Sequence, residues 1–120
     1  MGLDLYARGV EQQKFKDLSP VLCGSMFTDG YSSIRGKVYA GFIEDVCSVN
    51  IYQEKLPAKD LQRIVTQLGL YYIGAMDDIN PEGSRYTLHK AWDFSLDEVA
   101  ALLTWFTIVK ENNGQVIGWW

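Results

Sequence analysis

Three stretches of this 120-residue chain hold side chains at spacings that chemistry could use. In the first, Asp78-x-Asn80-x-Glu82-Gly83 matches the opening positions of a calcium-binding loop: spaced oxygen ligands and a turn-making glycine. The match then fails. The position that should supply a bidentate glutamate is His89, and Pro81 interrupts the loop. The residue types are those of an ordinary polar turn, and no metal is expected.

The second is His89 itself, the only histidine. One histidine rules out a two-histidine zinc site. As a general base it would need a nucleophile and an orienting carboxylate assembled in space. Ser84, Thr87 and Asp93 are near in sequence, but nearness along the chain does not build a triad. The expectation is a binding protein rather than an enzyme, without a cofactor.

The third is Tyr31-Ser-Ser-Ile-Arg-Gly-Lys37. If Ser32 or Ser33 caps a helix, free backbone N–H groups, two hydroxyls, Arg35 and Lys37 converge on its first turn. Such a helix start can hold phosphate or carboxylate. The segment, with Tyr31 beside it, is therefore a candidate site for a small anionic ligand such as a nucleotide. Neither a P-loop nor a dinucleotide-binding glycine fingerprint is present.

Aromatic residues crowd the C-terminal part: Trp92, Phe94, Trp105, Trp119 and Trp120. On a strand, adjacent side chains point to opposite faces, so one of Trp119 and Trp120 can enter the core while the other faces out. An outward tryptophan is a candidate anchor for a partner protein, or is covered by a second copy in a homodimer. Charge points the same way. Residues 1–63 carry eight basic and eight acidic side chains, whereas residues 64–120 carry three basic and seven acidic, for a total net charge of −4. This asymmetry disfavours duplex nucleic acid and favours a partner with a basic surface. Asp77 and Asp78 join Trp119 and Trp120 as candidate partner-binding residues, in the manner of a small inhibitor or immunity-type protein.

The elements that must position these groups read as follows. Leu3, Leu5 and Ala7 alternate with Asp4, Tyr6 and Arg8, which predicts a strand. Residues 33–47 fit either a strand or a helix, and length favours the helix, although Gly36 and Gly41 would each cost it about 1 kcal/mol. Ser48 to Glu54 predicts a strand. Pro57 and the spacing of Leu61, Ile64, Val65 and Leu68 predict a helix that stops at Gly69. Leu70 to Met76 then reads as a strand and Arg85 to Lys90 as a hairpin return. Ser95-Leu-Asp-Glu98 is a capping box ahead of an apolar stripe of Val99, Leu102, Leu103, Phe106 and Val109, with Trp105 to its side. Asn112-Asn-Gly114 ends that helix, and Gln115 to Trp120 forms a last strand.

Together these give a single α+β domain: about three helices on a short, mainly antiparallel sheet. Cys23 and Cys47 read as small core residues in a reducing compartment. The longest uncharged apolar run, Val99 to Val109, has eleven residues, too few to span a bilayer. The N-terminus lacks the pattern of a signal peptide, so the expected location is the cytoplasm, without membrane attachment.

Overall fold

The computed structural model describes residues 3–11, 14–15, 26–28, 31–77 and 94–119. Within these the chain runs β1 (Asp4–Arg8), β2 (Met26–Thr28), β3 (Tyr31–Arg35), α1 (Gly36–Cys47), α2 (Ala58–Asp77), α3 (Leu96–Glu111) and β4 (Gln115–Trp119). The strands form one sheet in the order β2-β3-β1-β4, with every pairing antiparallel. The domain is α+β, as its alternating and helical patterns predict.

Period-2 alternation gives the sheet two different faces. Leu5 lies opposite Ile34 and Gly118, and Ala7 lies opposite Val116. These residues share one face and enter the core with Leu3, Phe42, Ile43, Ile64, Leu68, Leu102, Trp105 and Phe106. Asp4, Tyr6, Arg8, Ser33, Arg35, Gln115, Ile117 and Trp119 take the other face by the same registers.

The ambiguous segment resolves into both alternatives in succession. Residues up to Arg35 pair with β1 as a strand, and the helix begins at Gly36. Gly36 therefore sits where the chain turns from strand to helix. A Cβ built there would lie 2.9 Å from Leu3 Cδ2 and 3.0 Å from Leu5 Cγ. This close approach gives the glycine a purpose that its low helix propensity conceals.

Two predicted strands are not strands. Val49 and Ile51 are buried as alternation requires, but the backbone between them forms a local turn. Asn50 Oδ1 accepts from the Tyr52 amide at 2.9 Å, and Gln53 N donates to the Ile51 carbonyl at 2.9 Å. A side-chain oxygen that offers the backbone a nearby acceptor competes with a sheet ladder. Leu70 to Met76, in turn, continues α2 past Gly69. Its helical spacing sets Tyr71 against Phe42, with ring centroids 5.2 Å apart in an edge-on arrangement, and leaves Leu70 and Ile73 exposed. Tertiary contact outweighs a single stop signal. The predicted hairpin return at Arg85 to Lys90 lies outside the described residues.

The last helix starts where its capping pattern predicts, but among the described residues only the Ser95 half of the box forms. Ser95 Oγ accepts from the Glu98 amide at 3.1 Å, and the Glu98 carboxylate accepts from the Tyr39 hydroxyl at 2.6 Å. Its buried side is wider than the predicted stripe. Trp105 is fully buried against Phe15 and Phe106. Among the described residues, no helix is long and apolar enough to cross a membrane.

Two predictions follow from this packing. A Cβ at Gly69 meets nothing within 4 Å, so Gly69→Ala should raise unfolding stability by up to about 1 kcal/mol. Gly36→Ala should lower it by about 1–3 kcal/mol. Urea unfolding of both variants checks the opposite signs.

The second concerns Cys47, which is free and buried. Burial pushes its thiol up from 9.0 to about 12, against the smaller opposing pull of the Arg63 charge. Below pH 9 the thiol is neutral in both folded and unfolded chains. Between about 9 and about 12 the unfolded chain releases this proton and the folded one holds it, so stability falls as pH rises. The stability difference between wild type and Cys47→Ala should therefore narrow from pH 8.5 to pH 10.5, measured by urea unfolding.

Candidate functional site

Among the described residues, the face of the sheet turned away from α1, α2 and α3 is built mainly by the first and last strands. Their register sets Asp4 opposite Trp119, Tyr6 opposite Ile117 and Arg8 opposite Gln115. All six side chains stand on one face because all six occupy one phase of the alternation. Trp119 is 69% exposed, while Tyr6 and Ile117 are half-buried beside it. A cavity of about 400 Å³ opens here, lined by Tyr6, Ala7, Arg8, Ile117 and Trp119. It offers two aromatic side chains, one aliphatic and one guanidinium. Cross-strand and diagonal neighbours at these separations act as one surface.

Charge on this face is mixed. Arg35 Nε lies 3.4 Å from Asp4 Oδ1, with both side chains about half exposed. This exposed pair adds little to stability. It does balance the carboxylate beside Trp119 and leaves Arg8, exposed at the cavity, as its cationic group.

The anion site predicted at residues 31–37 is not assembled as a helix start. Ser32 and Ser33 lie within β3, with Ser33 opposite both Tyr6 and Met26 and only 6% exposed. The N-cap of α1 is Arg35, with no side-chain cap hydrogen bond. Its side chain turns to Asp4. The Lys37 amide, one of the first-turn donors such a site would use, donates instead to the Leu3 carbonyl at 3.0 Å. Tyr31 begins β3. The strand pairing with β1 draws the serines away from the turn where hydroxyls and amides were expected to meet.

The predicted partner-binding residues are also separated. Trp119 ends β4, whereas Asp77 ends α2. The start of α2 is tied to β4 through the Leu56 amide, which donates to the Val116 carbonyl. Over 20 residues a helix extends about 30 Å, so Asp77 lies at the far end from this tie. Asp78, Trp120, Cys23, His89 and the calcium-like stretch lie outside the described residues. Among the described residues, no group of three His, Cys, Asp or Glu side chains is placed to hold a metal ion.

Tyr6, Arg8 and Ile117 are lining residues that sequence reasoning did not associate with Trp119. The signal for two of them was present: Tyr6 and Arg8 alternate against Leu5 and Ala7. Their association with Trp119 is not local, because it comes from pairing the two ends of the chain. No family model, curated protein or solved structure matches this chain.

A large side chain that is 69% exposed contributes little to the fold. Trp119→Ala should change unfolding stability by no more than about 0.5 kcal/mol. It should also remove a red-shifted component of the native tryptophan emission. Urea unfolding and the emission spectrum check both.

Proposed function

We propose that this protein is a non-catalytic binding module that occupies a partner protein through the face of its sheet turned away from the core. Trp119 is the anchor, and Tyr6, Ile117 and Arg8 complete the contact. The observation that carries this reading is the exposure of Trp119 on a regular strand, beside two half-buried apolar side chains and an open cavity. Indoles that anchor interfaces are typically flanked by such surroundings, and truncating one often costs about 2 kcal/mol or more of binding. The net charge of −4 supports long-range steering toward a basic partner, as for small inhibitor or immunity-type proteins. At short range, Arg8 would meet a carboxylate or carbonyl of that partner. The buried free thiol of Cys47 supports a reducing compartment, the cytoplasm.

The test is capture from the native host with the tagged protein, followed by calorimetry with the partner identified. Trp119→Ala should weaken binding by about thirtyfold, and Arg8→Glu should weaken it further. Unchanged affinity in both variants would sink the reading. Concentration-dependent self-association that Trp119→Ala abolishes would replace the foreign partner with a homodimer.

A further inference from the structure

A second cavity, of about 770 Å³, lies where the segment before α2 meets the turn after α3. Lys55 and Lys110 both line it, together with Gln62, Asn113 and Gln115. One Gln62 N–H already donates to Thr66 Oγ1 at 2.9 Å, leaving the other available. Leu56 and Leu61 also line it, and both belong to the core, so the cleft has an apolar floor. No carboxylate lines it among the described residues. The chain has 15 acidic and 11 basic residues, so a cleft with two ammonium groups and no acid departs from its average surface. Glu54 and Glu111 flank the two lysines in sequence and are exposed, but neither is part of the lining.

The walls are fixed by backbone contacts. On one side the Leu56 amide donates to the Val116 carbonyl at 2.9 Å, and the Gly118 amide donates to the Glu54 carbonyl at 3.0 Å. On the other, the Asn113 amide donates to the Lys110 carbonyl at 3.2 Å, and the Gly114 amide to that of Val109 at 2.8 Å. Asn113 adopts a left-handed φ of 55°. A Cβ on Gly114 would lie 2.9 Å from the Arg8 carbonyl oxygen and collide with Val10, so the turn is packed against its neighbours. Lysines 55 residues apart in sequence thus face one preformed space rather than two flexible surfaces. The start of α2 is also close, since that helix begins at Ala58, a lining residue. Its Asp60 amide already donates to the Pro57 carbonyl at 3.0 Å. The Asp60 carboxylate, which accepts from Gln53 Nε2, offsets the positive end of the helix, so the lysines supply the charge.

We infer that this cleft is a binding site for a small organic phosphate: a dianionic head between Lys55 and Lys110, and an apolar body on Leu56 and Leu61. Lysine binds phosphate as a point charge that does not require a fixed fork. The three carboxamides supply additional donors to the ester and head-group oxygens. The site is separate from the sheet face that carries Trp119.

Phenyl phosphate titrated into the ¹⁵N-labelled protein at constant ionic strength provides the test. The expected result is saturable shifts of the Ala58, Gly114 and Gln115 amides and the Gln62 side-chain amide. Inorganic phosphate should saturate the same signals more weakly. Lys55→Gln combined with Lys110→Gln should weaken phenyl phosphate at least about tenfold, with the remaining spectrum reporting an intact fold. Trp119→Ala should leave the titration unchanged, so this inference and the partner-binding reading fail separately. Shifts that do not saturate, that scatter over all lysines and arginines, or that persist in the double variant would overturn it. Equal shifts with neutral benzyl alcohol would also overturn it, because the charge would then play no part.

Discussion

Five residues near the start of the chain pair with five at the end of the described residues, Asp4 with Trp119 through Arg8 with Gln115. The side chains on β1 and β4 depend on that register. A slip by one residue would send Trp119 toward the helices and Gly118 outward. Leu5 is bounded by Ile34 on β3 and by Gly36, where even a methyl group would approach its Cγ to 3.0 Å. The facing of β1 is thus held from the β3 side as well as by its pairing with β4. The register in turn fixes which tryptophan-bearing face is open.

The same pairing constrains the helices. Only the three residues Asn112 to Gly114 separate α3 from β4, so α3 must turn back directly from the sheet. Its buried side then includes Ala101 and Trp105 with Val99, Leu102, Phe106 and Val109 of the predicted stripe, while Leu103 is only partly buried. An edge strand left open would be a template for unwanted pairing. Here the backbone of Glu54 to Leu56 takes up donors and acceptors along β4. That cover is short, and the chain leaves it at Pro57 to begin α2. The cleft with Lys55 and Lys110 lies at this departure, bounded by the cover, the start of α2 and the turn after α3. Protecting the edge and forming the cleft share one piece of backbone.

What could be read from the sequence divides by the range of the interaction responsible. The first strand, the Ser95 cap, the last helix and the last strand are specified by residues within a few positions of one another, and they form as expected. The segment 33–47 holds two correct local readings, but the boundary between them depends on β1, roughly thirty residues earlier. Gly69 shows the same limit. Its local preference is to stop a helix, yet Tyr71 finds Phe42 only if the helix continues. In the candidate site, the outward placement of Tyr6 and Arg8 was visible in alternation. Their meeting with Trp119 was not, because no local pattern records which strands are neighbours.

The distribution of charge shows why a chain-wide balance is a poor guide to contact chemistry. Acidic residues dominate the second half, and under the proposed reading that excess would bias the first encounter with a basic partner. At physiological ionic strength, exposed charges are largely screened beyond about 8 Å. Once a partner reaches Trp119, the groups that matter are those on the same face. Asp4 is paired with Arg35, and Arg8 lines the cavity. The cleft bounded by α2 and α3 has the same local character, with two lysines and no carboxylate in its lining. An acidic protein thus carries basic side chains in the lining of both cavities described above, so its net charge does not describe the local chemistry of either.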